Sequence, residues 1–136
     1  WRPVPGEHSR DGAPVQMAWH RYVEPLASGA AHQAVLAWAT CGDVIGTAIR
    51  PHRDRFSLAD AHRTISTGVI AHTIHYVEPV DCSRWLLIVV EGTSAGNGRI
   101  YGAGSVFDEA GTLVAAFHQD SMAKSLDAQA DPRRVL

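Results

Sequence analysis

The sequence predicts an α+β domain in which an antiparallel sheet wraps around one long helix. Three observations carry that expectation. Apolar residues recur at helical spacing from about Ala30 to Ile49. Four later segments are long, rich in β-branched and apolar residues, and separated by turn signals. A further strand-like stretch precedes the helix. A sheet with one apolar face, closed over a single helix, is the simplest arrangement that buries both apolar surfaces.

Residues 1–14 are rich in proline, glycine and charge and read as an extended lead-in. "VQMAWHRYVE" (15–24) alternates roughly and carries Trp19, Tyr22 and Val23, so it reads as a strand that Pro25 stops. Ser28 is the expected N-cap of the helix. At about 100° per residue, Ala31, Ala34, Val35, Trp38, Cys41, Ile45, Ala48 and Ile49 form one broad stripe. His32, Asp43 and Arg50 fall on the opposite side, and Pro51 ends the helix. Small residues in the stripe, with Gly42 and Gly46 in or beside it, suit a helix held close to a sheet. Residues 52–64 are charged and irregular and read as a surface loop that orders with a partner or ligand.

The remaining strands are expected at 64–78, 84–95, 98–108 and 113–123, as a meander. "EPVDCS" turns the first into the second, and "AGNG" and "DEAG" make the two hairpins. The domain therefore occupies 15–124, and 125–136 form a polar, frayed tail. This order of elements is that of a hotdog-like α+β architecture. One such unit leaves much of its sheet exposed and is expected to pair with a second copy.

Composition bounds the function. The chain has 136 residues, 46% apolar and 19% charged, with net charge −2, which is globular and far from disordered. It has no basic stripe, so no nucleic-acid partner is expected. Its apolar runs, such as "WLLIVV", are too short to cross a bilayer, so no membrane partner is expected either. The start, "WRPVPGEHSRDG", has no apolar core and reads as a linker or processed end. Two cysteines make neither a disulfide framework nor a metal cluster, and a reducing, cytoplasmic setting is expected.

Candidate chemical groups are few. His72 and His75, three apart in a strand, point to opposite faces and read as strand histidines with no metal between them. Cys41 has no base at helical spacing and reads as a small buried hydrophobe. "GAGSVFD" precedes a strand, which excludes a dinucleotide cradle, so its glycines serve packing, and no cofactor is expected. Gln119, between His118 and Asp120 near the end of the last strand, is an amide able to orient a water or polarise a carbonyl.

Several blocks together resemble the C-terminal half of the acyl-CoA thioesterase II family. They are "VLAWATCGDVIGTAIRPH", the run from Glu78 through Trp85-Leu86-Leu87 to Glu91, "GRIYGAG" and "GTLVAAFHQD", and the resemblance spans about residues 17–124. It implies a hotdog fold, one half of a tandem pair, with its N-terminal mate absent, cleaved off or supplied by another chain. It also implies hydrolysis of acyl-CoA by a water held between an Asp, a Thr and a Gln. Carried over by position, the Gln falls on Gln119, the Asp on Cys41 and the Thr on Val69. Asp43 lies about 200° around the helix from Cys41 and is a poor substitute for the acid. Thr67, two residues before Val69 and on its face, is the better replacement for the hydroxyl, through a slip or a bulge at Gly68. The resemblance thus assigns Gln119 and Thr67 to catalysis. It assigns Trp38, Cys41, Val69 and Ala71 to an apolar acyl slot. The alternative is a catalytically degenerate hotdog that binds acyl groups or serves assembly.

Overall fold

A computed structural model describes residues 1–4, 14–52 and 63–126. Its elements are β1 (Arg2–Pro3), β2 (Val15–His20), α1 (Gly29–Thr40), α2 (Asp43–Ala48), a 3-10 turn (Arg50–His52), β3 (Ile65–Tyr76), β4 (Leu86–Gly96), β5 (Arg99–Phe107) and β6 (Leu113–Ser125). They form one six-stranded antiparallel sheet in the order β1-β2-β4-β5-β6-β3, with the helical segment packed on one face. No described helix is long and apolar enough to cross a membrane.

All the expected strands form. Within the lead-in, Arg2–Pro3 also pairs with β2. The Arg2 and Arg21 guanidinium groups lie 4.8 and 5.0 Å from the Trp85 ring, a cation–π contact from each. The "AGNG" hairpin turns on Asn97 and Gly98, with φ 52° and 77°, the positive pair that a tight two-residue turn needs. The expected four-strand meander is corrected. β4, β5 and β6 follow one another, but β3 lies at the far edge and pairs with β6. "EPVDCS" is therefore no hairpin. Residues 77–85 carry the chain past the N-terminal part of α1, where the Cys82 N–H donates to His32 Nδ1 (3.0 Å) and the Tyr22 N–H to the Cys82 carbonyl (2.8 Å).

The single long helix is corrected too. Ser28 caps α1 as expected, its Oγ accepting from the Ala31 N–H. The chain breaks at Cys41–Gly42, where Gly42 takes φ +110°. That left-handed residue resets the helical phase, so the stripe does not run through it. In α1 the buried residues are Leu36 and Thr40; Trp38 is 76% exposed and Cys41 is exposed. In α2 Val44, Ile45, Thr47 and Ala48 are buried. They meet Ile88, Val90, Ile100, Val106 and Phe117 in the core.

α2 crosses the strands at very short range. A methyl on Gly92 would fall 2.5 Å from Ala48 Cα, and one on Gly102 would fall 2.7 Å from Val44 Cγ1. Gly92 and Gly102 are cross-strand partners, so two bare positions side by side form the seat of the helix. Past α2, Arg50 donates to the Val15 carbonyl (3.2 Å) and to Gln16 Oε1, tying the segment to β2.

Candidate functional site

The row that seats α2 continues into the polar part of the core. Gly102 pairs with Gln119, and Gln119 pairs with His72. The chain from Thr40 to Val44 passes over this row. Its polar groups meet those of the sheet at the break between the helices.

Gln119 is the hub and has no exposed surface. Its Oε1 accepts from the Gly42 N–H at 3.1 Å, and its Nε2 donates to Ser121 Oγ at 2.9 Å. The Gly42 N–H fixes the amide orientation, because it requires an oxygen opposite it. Beside the hub, Thr40 Oγ1 lies 3.0 Å from His72 Nε2, and 3.0 and 3.2 Å from the carbonyls of Leu36 and Ala37. A hydroxyl has one proton. Given to a helix carbonyl, it makes Oγ1 the acceptor of Nε2–H. His72 Nδ1 is then a bare lone pair, and that atom is buried without a partner. The reverse assignment would bury an unpaired N–H, which is rarer than an under-used acceptor. Burial, then the nearby His118, lowers the His72 pKa below the usual 6.5.

His72 is the residue that sequence reasoning missed. β3 carries a bulge between Val69 and Ala71. Val69 pairs with Ser121, but Ala71 pairs with Asp120 and His72 with Gln119. Plain alternation puts Val69 and Ala71 on one face. The bulge sends Ala71 to the other face and turns His72 inward. His75 lies on the face opposite His72, as expected of residues three apart, its ring 6.2 Å from that of His118.

The other predicted residues are placed as follows. Thr67 faces the helix side but pairs with Ala123, four residues along β6 from Gln119, or roughly 13 Å at strand rise. The structure does not bring it to Gln119. Val69 is next to the hub through Ser121. Cys41 is at the break, beside the Gly42 N–H, but its side chain is exposed, which corrects the expected burial. Trp38 lines a groove of about 210 Å³ with Val35, Leu36, Tyr22, Trp1 and Leu86, on the flank of α1 facing β2 and β4. Cys41, Val69 and Ala71 do not line it, so the four slot residues are not gathered in one place. Asp43 is α2's first residue; its Oδ2 is buried without a partner, and burial, opposed by Arg50, raises its pKa. No described group of three or more His, Cys, Asp or Glu side chains could hold a metal.

The two thiols differ in environment. Cys82 Sγ donates to the His32 carbonyl at 3.2 Å, and burial, then Asp81, pushes its pKa up to about 11. A thiol-specific dye at pH 8 is expected to label one thiol per folded chain, Cys41, and the second only in denaturant. Rapid double labelling of the folded chain would contradict the buried placement of Cys82.

The acyl-CoA thioesterase C-terminal domain family matches residues 2–123. Acyl-CoA thioesterase 2 of Haemophilus influenzae is 29% identical over 90 residues, 66% of this chain and 30% of that protein. An acyl-CoA thioesterase II from Mycobacterium marinum superposes with TM-score 0.72 and 26% identity, over 93% of this chain and 46% of that one. A 1,4-dihydroxy-2-naphthoyl-CoA thioesterase from Synechocystis shares the fold at 15% identity, with TM-score 0.61, over 90% of this chain and 88% of that one. This chain thus spans less than half the length of the first two relatives. It has the hotdog fold and belongs to the acyl-CoA thioesterase C-terminal domain family.

Proposed function

We propose that the chain is the C-terminal half of an acyl-CoA thioesterase, hydrolysing the thioester to free acid and coenzyme A at the break between α1 and α2. The observation that carries this reading is the cluster Thr40–His72 and Gly42–Gln119–Ser121 in a chain of this family. The thioester approaches at the exposed Cys41, with its acyl chain directed to the groove beside Trp38. Gln119 has a second Nε2–H, not used by Ser121, to donate to the thioester carbonyl oxygen. Water adds to the carbonyl carbon while its proton passes to His72 Nδ1. The tetrahedral intermediate expels the thiolate, which receives that proton from His72 and leaves as the thiol. His72 thereby supplies the acceptor that a carboxylate at position 41 would have supplied. The length of the Mycobacterium marinum relative supports a second hotdog unit completing the site, in the same chain or another.

A degenerate acyl-binding or assembly module is the second reading. One observation favours it: among the described residues no carboxylate hydrogen-bonds to Gln119, His72 or Thr40. Thiol release from short- to long-chain acyl-CoAs separates the two. The parent is expected to turn over, with the acid limb of kcat/KM below pH 6.5 because the His72 pKa is lowered. Its free-base form therefore survives to more acidic pH than an ordinary imidazole. His72→Ala is expected to lose ~10²–10⁴-fold in kcat. A silent parent with an active Cys41→Asp variant would establish the degenerate module.

A further inference from the structure

Ser121 is a buried hydroxyl with no apolar reason to be there. It has no exposed surface, and its cross-strand neighbours are Val69 on β3 and Ile100 on β5. A hydroxyl with no exposed surface is unfavourable unless it is hydrogen-bonded. Its partner is the Gln119 amide, 2.9 Å away. The other end of that amide is held by the Gly42 N–H. The carboxamide is thus gripped at both ends, oxygen on a donor and nitrogen on an acceptor. Gly42 alone sets which end is which, but it leaves the amide plane free to swing about its single contact. Ser121 removes that freedom and aims the second Nε2–H.

We propose that Ser121 is the positioning residue for Gln119 in the hydrolysis proposed above, and that it takes over a hydroxyl role open equally to position 69. Val69 and Ser121 are directly opposed across the β3–β6 ladder and share the helix-facing side. Side chains so placed have Cβ atoms about 4.5–5.5 Å apart, so a hydroxyl at position 69, which is 39% exposed, would stand beside that of Ser121. Val69 has none, and Ser121 has one. The bulge starts immediately after Val69, so the opposition holds at this pair and fails one residue later. Thr67, in register with Ala123, cannot make the contact.

The role belongs to orientation, so it is read out by a split between binding and turnover and by the amide itself. Ser121→Ala is expected to lower kcat roughly tenfold or more with KM nearly unchanged, and to move the side-chain NH₂ signals of Gln119 in ¹⁵N–¹H spectra of the labelled protein. Adding Val69→Thr to Ser121→Ala is expected to restore both, whereas adding Val69→Ala is not. Thermal melts of all variants separate these effects from unfolding. Unchanged Gln119 amide signals in Ser121→Ala would overturn the proposal, and so would failure of Val69→Thr to restore them. If the parent releases no thiol while the amide signals move and return as described, the hydrolase reading falls and the Ser121 grip on Gln119 stands.

Discussion

Gly92→Val is expected to lift α2 off the sheet and to lower the stability of the chain by more than ~3 kcal/mol. The reason is contact with main chain. A Cβ on Gly92 meets Ala48 Cα at 2.5 Å and Ala48 N at 2.7 Å, and no rotamer change relieves either. Overpacking of a core costs typically ~1–3 kcal/mol where side chains can yield. Here the helix itself must move, carrying Val44, Ile45 and Ala48 out of the core. Set against a total stability of about 5–15 kcal/mol, a loss above ~3 kcal/mol removes a fifth or more of the margin. Gly68→Ala is the matched control, because its added methyl meets only Met122 Cγ at an ordinary 3.7 Å. Urea denaturation should put the Gly92→Val midpoint far below that of the parent and leave Gly68→Ala near it. Equal midpoints for Gly92→Val and the parent would contradict the close seat of α2.

Gln119→Ala is expected to lower kcat about 10²–10³-fold, the cost usually found for removing one donor to a reacting carbonyl. It should also lower stability. The Gly42 N–H and the Ser121 hydroxyl would both lose their partner in a site without solvent exposure at either Gln119 or Ser121. A buried group left unpaired costs about 1–3 kcal/mol. Full acyl-CoA hydrolysis by Gln119→Ala would remove Gln119 from the reaction.

Much of the fold was legible because strands and hairpins are written locally. Alternation marked each strand, and Asn97-Gly98 marked its turn by residue type alone. The placement of β3 was not, since nothing within residues 64–78 names β6 as its partner; that choice rests on long-range packing. The helix break was half-legible. Gly42 is visible, but a glycine inside a helix costs only about 1 kcal/mol, so an apolar pattern extends through it unless tertiary contacts say otherwise. Here they do, because the broken turn lets the Gly42 N–H reach Gln119.

The site divides along the same line. Gln119 was found from the motif that surrounds it. His72 was hidden by one extra residue in β3, since Val69, Ile70 and Ala71 give no local sign of a bulge. Every side chain beyond it is read on the wrong face if the count of two is kept. Trp38 and Cys41 were misplaced by the mirror-image error, a helical count carried across a left-handed residue.

The sheet's two rims are unequal among the described residues: β1 contributes two residues at one end and β3 twelve at the other. Unpaired main-chain groups invite neighbours, and a molecule with two long open borders can add copies without limit. Among the described residues the longer border is β3, and main-chain joining of two copies through it would engage that border in both participants at once.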